Sequence, residues 1–131
     1  MPKRILVVDD EVPIADLLSQ ALADEGYETH KVVQSLRVYD AVREHQPDLI
    51  LLDLMMPYLN GQDELRLISM DPESKRRIPV IVVTAMVDAK REEETLRQYG
   101  VTDIVLKPFD LNALVRLVKR TIGESDQEGL S

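Results

Sequence analysis

The sequence contains no cysteine, no tryptophan and no long apolar run, and these absences narrow the classes of protein to which it can belong. Without cysteine there is no disulfide bridge and no Cys-ligated metal, a composition compatible with the cytosol. No apolar run approaches the roughly 18 residues of a membrane span. Residues 1–4 are basic, but the apolar run that follows covers only residues 5–8, which is too short for a signal peptide. We therefore expect a cytoplasmic protein with no membrane segment.

The composition is that of one soluble globular domain: 131 residues, of which 44% are hydrophobic and 31% charged. The net charge of -8 argues against direct binding of nucleic acid by this chain, because the phosphate backbone repels an acidic surface. Residues 123–131 hold three acids and no base, which leaves -5 for residues 1–122. We predict a domain over 1–122 and an acidic flexible tail or linker remnant over 123–131.

Apolar runs too hydrophobic for half-exposed strands recur along the chain. They are residues 5–8, 49–52, 80–83 and 104–106. Strands covered on both faces are typical of parallel sheets in α/β proteins. A fifth run, residues 28–33, contains Thr29, His30 and Lys31, and its polarity favours an edge strand.

Apolar residues at helical spacing predict helices between these strands. Residues 14–22 carry one stripe, with Pro13 in a first turn that tolerates it and Gly26 as the stop. A second stripe over 111–122 follows Asp110, which can cap its N-terminus. Further helices are predicted over residues 35–45, 62–70 and 88–99. This alternation predicts an α/β fold, a doubly wound five-stranded parallel sheet of the (βα)5 type, in which ligands bind beyond the carboxyl ends of the strands.

Four of the predicted strands end in side chains that can take part in chemistry. In chain order these are Asp9 with Asp10, Asp53, Thr84 and Lys107. Taken singly, each has an ordinary structural interpretation: helix capping for the aspartate pair, a turn at Asp53, strand propensity at Thr84, and a surface lysine. Their shared position at one edge of the sheet favours a common site instead.

Electrostatics narrows what such a site can hold. Two carboxylates about 4 Å apart repel each other by roughly 4 kcal/mol at an effective dielectric constant of 20, so three clustered acids need a protonation shift or a cation. Oxygen ligands without His or Cys favour a hard ion, and Mg²⁺ is the natural choice.

A carboxylate can also attack phosphorus, and Mg²⁺, Lys107 and Thr84 could each neutralise the charge of one phosphoryl oxygen. Phosphorylation replaces one negative charge with roughly two, which provides a switch.

These motifs resemble the receiver domain of two-component response regulators over about residues 3–122, nearly the whole chain. The matching segments are residues 5–11, 47–53 with Met56, Pro57 and Gly61, 79–85, and 107–109. The resemblance implies a flavodoxin-like fold with strand order 2-1-3-4-5. It also implies a phosphorylation-activated signalling switch of a two-component phosphorelay, and not a metabolic enzyme.

The resemblance assigns roles to the residues at the strand ends. Asp53 matches the phosphoacceptor, which takes a phosphoryl group from the phosphohistidine of a sensor histidine kinase or phosphotransfer protein. Thr84 supplies the hydroxyl and Lys107 the ammonium group that contact the phosphoryl group, and the bond from Lys107 to Pro108 is expected to be cis. Mg²⁺ is the implied cofactor. Its implied ligands are Asp9, Asp10, Asp53 and the backbone carbonyl of Met55.

The resemblance further implies an output surface made of the fourth helix, the fifth strand and the fifth helix, which binds a downstream effector domain or protein. Residues 92–94 are three glutamates on this surface, and Arg116, Lys119 and Arg120 are bases on it. This charge asymmetry makes the surface a candidate homodimer contact, although solvated surface charge is the simpler interpretation.

Three positions modify the family pattern. Ile104 stands where the family usually has Tyr or Phe, so the usual coupling between Thr84 and an aromatic ring is altered. Met55 and Met86 lie two residues after the acceptor and two after the threonine, where family hydrolysis rates are sensitive to the side chain. Because neither methionine can orient an attacking water well, we predict slow self-dephosphorylation.

Other functions share parts of the pattern. An Mg²⁺-dependent phosphohydrolase would often carry a second acid two residues after the nucleophile, where this chain has Met55. An unphosphorylated interaction scaffold fits Ile104 but not the intact acids, hydroxyl and lysine. A flavodoxin-like electron carrier would carry a phosphate loop rich in Gly, Ser and Thr, which the sequence lacks. We interpret His30 and His45 as ordinary exposed or strand residues, and not as phosphorelay histidines.

Overall fold

The computed structural model describes residues 2–55, 65, 68–69 and 77–124, and it contains one five-stranded sheet of order β2-β1-β3-β4-β5. The strands are β1 (Arg4–Val8), β2 (Glu28–Val32), β3 (Leu49–Leu52), β4 (Val80–Thr84) and β5 (Val101–Leu106). Every neighbouring pair is parallel. The predicted α/β fold and its strand order 2-1-3-4-5 are confirmed.

Four α-helices lie in the described part of the chain. They are α1 (Val12–Asp24), α2 (Val38–His45), α3 (Glu93–Gln98) and α4 (Leu111–Ile122). Short 3-10 helices at Ser35–Arg37 and Val87–Lys90 precede α2 and α3. The predicted helix over 62–70 lies mostly outside the described residues; within it, Leu65 and Ile68 are helical and buried. The predicted fourth and fifth helices are therefore α3 and α4 in this numbering.

The prediction of one continuous helix over 88–99 is wrong in its extent. A 3-10 helix ends at Lys90, and α3 begins only at Glu93 and is six residues long. Glu92 occupies the N-cap position of α3 without forming a side-chain cap. None of the six residues of α3 is fully buried, so little apolar packing favours a longer helix.

The expectation that residues 104–106 are covered on both faces holds only in part: Ile104 and Leu106 pack against one core cluster and Val105 against the other, but Val105 and Leu106 are only partly buried. β5 begins earlier, at Val101, and only Val101 and Ile104 are fully buried along it. The reason is that β5 lies at one edge of the sheet. The opposite edge is β2, as the polarity of residues 28–33 predicts.

The central strands are held by burial on both faces of the sheet. In β1, Ile5 and Val7 pack in the cluster that includes residues of α1 and α4, whereas Leu6 and Val8 pack in the cluster that includes residues of α2. Burial of one such side chain contributes about 1.5–3 kcal/mol. The strand that carries the first aspartates is therefore fixed firmly within the core.

Local signals at the helix ends match the prediction. The Asp110 carboxylate accepts a hydrogen bond from the Ala113 N–H at 3.2 Å and caps α4. Pro13 lies in the first turn of α1, and Gly26 follows the helix with φ of 97°.

Residues 125–131 lie outside the described residues, so the predicted division after residue 122 stays a prediction. No helix in the described ranges combines the length and the apolar character needed to cross a bilayer.

Candidate functional site

Backbone pairing brings the carboxyl ends of the central strands to one level. Val8 of β1 pairs with the last residue of β3, so Asp9 and Asp53 follow side by side. The pairing continues past the strands, because the Asp53 N–H donates to the Val8 carbonyl at 3.0 Å. On the other side of the site, the Lys107 N–H donates to the Thr84 carbonyl at 2.8 Å. The strand ends that the sequence predicts to meet are thus held together by backbone hydrogen bonds.

Asp9, Asp10 and Asp53 form an acidic cluster, in which one carboxylate oxygen from each lies within 4.8 Å of the others. Asp9 and Asp53 are buried, and Asp10 is exposed. The Glu11 N–H donates to Asp9 Oδ1 at 2.9 Å, and the Met55 N–H donates to Asp53 Oδ1 at 2.9 Å. These backbone bonds hold the two buried carboxylates in place.

The ammonium group of Lys107 lies among the acids. Its Nζ is 2.7 Å from Asp9 Oδ2, 2.7 Å from Glu11 Oε1 and 3.2 Å from Asp53 Oδ2. The structure therefore brings Lys107 together with the predicted aspartates and adds Glu11, to which sequence reasoning assigned no role. The only signal for Glu11 in the sequence was its place directly after the aspartate pair.

Burial and pairing shift the titration of this site. Burial raises the pKa of the Asp9 carboxyl, although the hydrogen bonds from Lys107 and from the Glu11 N–H act in the opposite direction. Burial alone would lower the pKa of Lys107, but its hydrogen bonds to Asp9 and Glu11 and the charge of Asp53 raise it well above the usual range. Lys107 stays protonated at neutral pH. It is one cation beside four acids, counting the exposed Asp10, so the site favours a further cation.

The donor set of the acidic cluster fits a hard divalent cation. Oxygen ligands of Mg²⁺ lie about 2.0–2.1 Å from the ion and hence at most about 4.2 Å apart, close to the spacing within the cluster. Asp9, Asp10 and Asp53 would hold such an ion. Met55 lies in the turn after β3, and the role of its carbonyl as a ligand stays a prediction.

Thr84 ends β4 and is fully buried. Its Oγ1 accepts a hydrogen bond from the Met86 N–H at 3.2 Å, a bond that does not use the hydroxyl hydrogen. The peptide bond between Lys107 and Pro108 is cis, as the resemblance implies. The roles of Thr84 and Lys107 toward a phosphoryl group stay predictions.

Ile104, which replaces the usual aromatic residue, is buried in the core cluster on the α2 side of the sheet. Met86, Leu96 and Tyr99 are partly buried and pack against the same cluster. An aromatic ring is therefore present beside this core, but it comes from Tyr99.

His30 is a strand residue, as the sequence suggests, but the two histidines also contact each other, which the sequence does not indicate. Both are half-buried, and their rings are stacked with 3.7 Å between the centroids. His30 lies on β2 and His45 is the last residue of α2. The contact joins residues far apart in the sequence, which composition and local pattern do not reveal.

A family model described as the response regulator receiver domain matches residues 5–119. The DNA-binding response regulator MtrA of Mycobacterium tuberculosis (strain ATCC 25618 / H37Rv) is 37% identical over 128 residues, which cover 98% of this chain and 54% of that protein. The polar-differentiation response regulator DivK of Brucella anthropi is 34% identical over 125 residues, which cover 95% of this chain and 100% of that protein. The chain thus spans about half the length of MtrA and the whole of DivK.

A solved structure is similar in both sequence and fold. The receiver domain of sensor histidine kinase PA1611 from Pseudomonas aeruginosa PAO1, solved with a magnesium ion coordinated in the active site cleft, is 30% identical with a TM-score of 0.73. The match covers 95% of this chain and 100% of that chain. The family model spans most of the sequence, and relatives above 30% identity span nearly all of it. This chain therefore belongs to the receiver domain family of two-component response regulators.

Proposed function

We propose that this chain accepts a phosphoryl group on Asp53 from the phosphohistidine of a sensor histidine kinase or phosphotransfer protein, with Mg²⁺ bound, and changes its partner-binding surface in response. The position of Asp53 carries this proposal. Its buried carboxylate belongs to the acidic cluster, and Oδ2 lies 3.2 Å from Lys107 Nζ. A nucleophilic oxygen between a cation site and an ammonium group suits phosphoryl transfer.

The transfer exchanges one bond for another. An Asp53 oxygen bonds to phosphorus while the bond from phosphorus to the donor imidazole nitrogen breaks. The imidazole keeps the electron pair of that bond and takes up a proton from solvent. The three phosphoryl oxygens carry negative charge in the transition state, and neighbouring groups have to neutralise that charge.

The residues of the site can meet that requirement. Lys107 donates a hydrogen bond to one phosphoryl oxygen, and the Thr84 hydroxyl donates to another. A bound Mg²⁺ would add positive charge beside the phosphoryl group. Its proposed ligands are Asp9, Asp10, Asp53 and the carbonyl of Met55.

The proposed switch begins at Thr84. The phosphorylated site carries about two negative charges in place of one, which attracts the Thr84 hydroxyl and the start of the segment between β4 and α3. The proposed responding surface consists of α3, β5 and α4, and its partner is an effector domain or protein. MtrA is about twice as long as the matched region, whereas DivK is no longer than it. The effector is accordingly proposed either as a domain of the same polypeptide or as a separate protein.

Two of the charges expected on this surface are already paired within the chain. Glu93 accepts from Arg97 at 2.6 Å within α3, and Lys119 pairs at 2.5 Å with Glu25, the residue that follows α1. A homodimer contact through α3, β5 and α4 would therefore rely on other charges. The exposed ones are Glu92, Glu94, Arg116 and Arg120.

Incubation with acetyl phosphate and Mg²⁺, followed by intact mass spectrometry, tests the proposal. We expect the wild-type protein to gain one phosphoryl group, Asp53→Asn to gain none at this site, and a chelator to prevent the gain. Asp16→Asn is the matched control, because Asp16 is an exposed aspartate on α1. Turnover of small phosphate esters at catalytic rates would support a phosphohydrolase instead.

A further inference from the structure

Glu11 contacts the candidate site without being one of its predicted ligands. Its Oε1 is as close to Lys107 Nζ, at 2.7 Å, as Asp9 Oδ2 is, and closer than Asp53 Oδ2 at 3.2 Å. The Glu11 side chain is 60% exposed, whereas those of Asp9 and Asp53 are 3% and 5% exposed. The three partners of one ammonium group thus differ sharply in their access to water.

The start of α1 directs Glu11 toward the lysine. Glu11 occupies the N-cap position of α1, with φ of -82° and ψ of 98°, but its side chain makes no cap hydrogen bond. Short polar side chains at this position usually accept from the first turn of the helix. The Glu11 carboxylate bonds Lys107 instead, while the Glu11 N–H donates to Asp9 Oδ1. The same turn therefore positions both Asp9 and the contact from Glu11 to Lys107.

The contact from Glu11 matters because Lys107 has a limited number of N–H donors. A lysine ammonium group has three N–H donors and no acceptor, and here three carboxylates face it. Lys107 must therefore release one partner before it can donate to a phosphoryl oxygen. Release of Asp9, or of Asp53 before it has reacted, would leave a buried carboxylate without its partner, which is strongly unfavourable. Glu11 can return to water at little cost because its own side chain is 60% exposed.

We propose that Glu11 is a positioning residue that holds one donor of Lys107 until a phosphoryl oxygen replaces it. This inference rests on the proposed function. The contact slows phosphorylation of Asp53 because the bond between Glu11 and Lys107 must break first. The charge of Glu11 could also repel an anionic donor, so contact and charge have to be separated by experiment.

Two substitutions separate contact from charge. Glu11→Gln removes the charge, whereas Glu11→Asp keeps the charge but is one methylene shorter and loses the reach to Lys107. Asp16→Asn is the matched control, since Asp16 is also an exposed acid on α1 and pairs with Lys31 at 2.7 Å. Asp is a favourable N-cap residue, so Glu11→Asp should unfold at no lower temperature than the wild type.

The first measurement is the rate of phosphorylation by acetyl phosphate at fixed Mg²⁺, followed by intact mass. We expect Glu11→Gln and Glu11→Asp both to react roughly two- to fivefold faster than the wild type, the range set by a weak ion pair whose carboxylate is exposed. Asp16→Asn should react at the wild-type rate. Faster reaction of Glu11→Gln with a wild-type rate for Glu11→Asp would show that charge alone acts, and would overturn the positioning role.

The second measurement needs neither Mg²⁺ nor phosphoryl transfer. Nitrogen-15 NMR of the metal-free protein reports the Lys107 ammonium group, whose protons exchange slowly when carboxylates hold them. We expect this signal in the wild type and Asp16→Asn, and its broadening in both Glu11 variants. If the wild type takes no phosphoryl group, the proposed function fails, and broadening in Glu11→Asp still supports the contact. An unchanged signal in both Glu11 variants would overturn this inference whatever the phosphorylation result.

Discussion

The imidazole rings of His30 and His45 stack face to face, with 3.7 Å between their centroids and 14° between their planes. The pair ties the end of α2 to the edge strand β2. Glu28 Oε2 lies 2.7 Å from His30 Nε2 and 3.4 Å from Arg4 Nε, so a carboxylate and a guanidinium group adjoin the rings. Burial, and then the charge of His30, lowers the pKa of His45, and the carboxylates of Glu44 and Glu28 oppose this only in part.

Acid is therefore predicted to destabilise the fold through His45. A lowered folded-state pKa means that the unfolded chain takes up the proton first, so stability is present above the ordinary histidine pKa of about 6.5 and is lost as the pH falls through the folded-state value. Urea unfolding at about pH 7.5 and about pH 5.5 measures this loss. We expect His45→Gln to lose less free energy of unfolding than the wild type over that interval. An equal loss in both proteins would assign the effect to other groups.

Mg²⁺ is predicted to stabilise the folded protein by neutralising the acidic cluster. A ligand at one hundred times its Kd adds about 2.7 kcal/mol to the free energy of unfolding. Asp9→Asn removes a proposed ligand and also a buried carboxyl whose pKa is raised by burial. The metal-free variant should therefore unfold at the wild-type temperature or above it, but gain much less from Mg²⁺.

Thermal unfolding with and without MgCl₂ checks this expectation. NaCl at equal ionic strength is the control, since it screens the acids without occupying the site. If Asp9→Asn gains as much from Mg²⁺ as the wild type, the ion binds elsewhere.

The phosphoryl group is predicted to be lost slowly because Met55 and Met86 offer no polar group to orient a water. Met86→Gln should shorten the lifetime of the phosphorylated protein by roughly tenfold, since an oriented water is the missing reactant. Met86→Leu, which stays apolar, should leave the lifetime unchanged. Intact mass at successive times after removal of the phosphodonor, without a phosphatase, gives the rates. Rapid loss from the wild-type protein would contradict the prediction.

Replacing a buried leucine beneath the site with alanine is predicted to destabilise the protein far more than replacing an exposed one. Leu52, directly before Asp53, is 0% exposed, whereas Leu36 is 80% exposed. Leu52→Ala should lower the free energy of unfolding by about 2–5 kcal/mol, because it leaves a cavity in the core cluster on the α2 side of the sheet. Leu36→Ala should change it by less than about 0.5 kcal/mol. Urea titration of the two variants measures the difference, and similar losses would show that the core collapses around the smaller residue.

The parts of the site that depend on backbone topology could be predicted from the sequence. Apolar runs without alternation predicted a parallel sheet, and the strand ends then had to meet at one edge, which brought Asp9, Asp53 and Lys107 together. The strand order itself came from the resemblance to a family. The helix caps at Asp110 and Gly26 followed from local residue preferences alone.

Contacts between side chains on distant elements could not be predicted in this way. Glu11 and Lys107 are 96 residues apart, and their contact depends on the direction in which an exposed carboxylate turns. The stacking of His30 on His45 depends on how the end of α2 lies over β2. The limits of β5 and α3 were missed for a different reason, because an edge strand and a poorly packed helix mix polar and apolar residues without a clear period.

Helix α3 packs only weakly against the sheet, and this affects how readily it can open. Its attachment relies on partly buried Leu96 and on polar contacts with β5, in which Arg97 bonds the Thr102 carbonyl at 2.5 Å and lies 3.8 Å from Asp103 Oδ1. Polar ties of this kind re-form with water at small cost. Hydrogen exchange should therefore show that the amides of α3 open more readily than those of the better-packed α4.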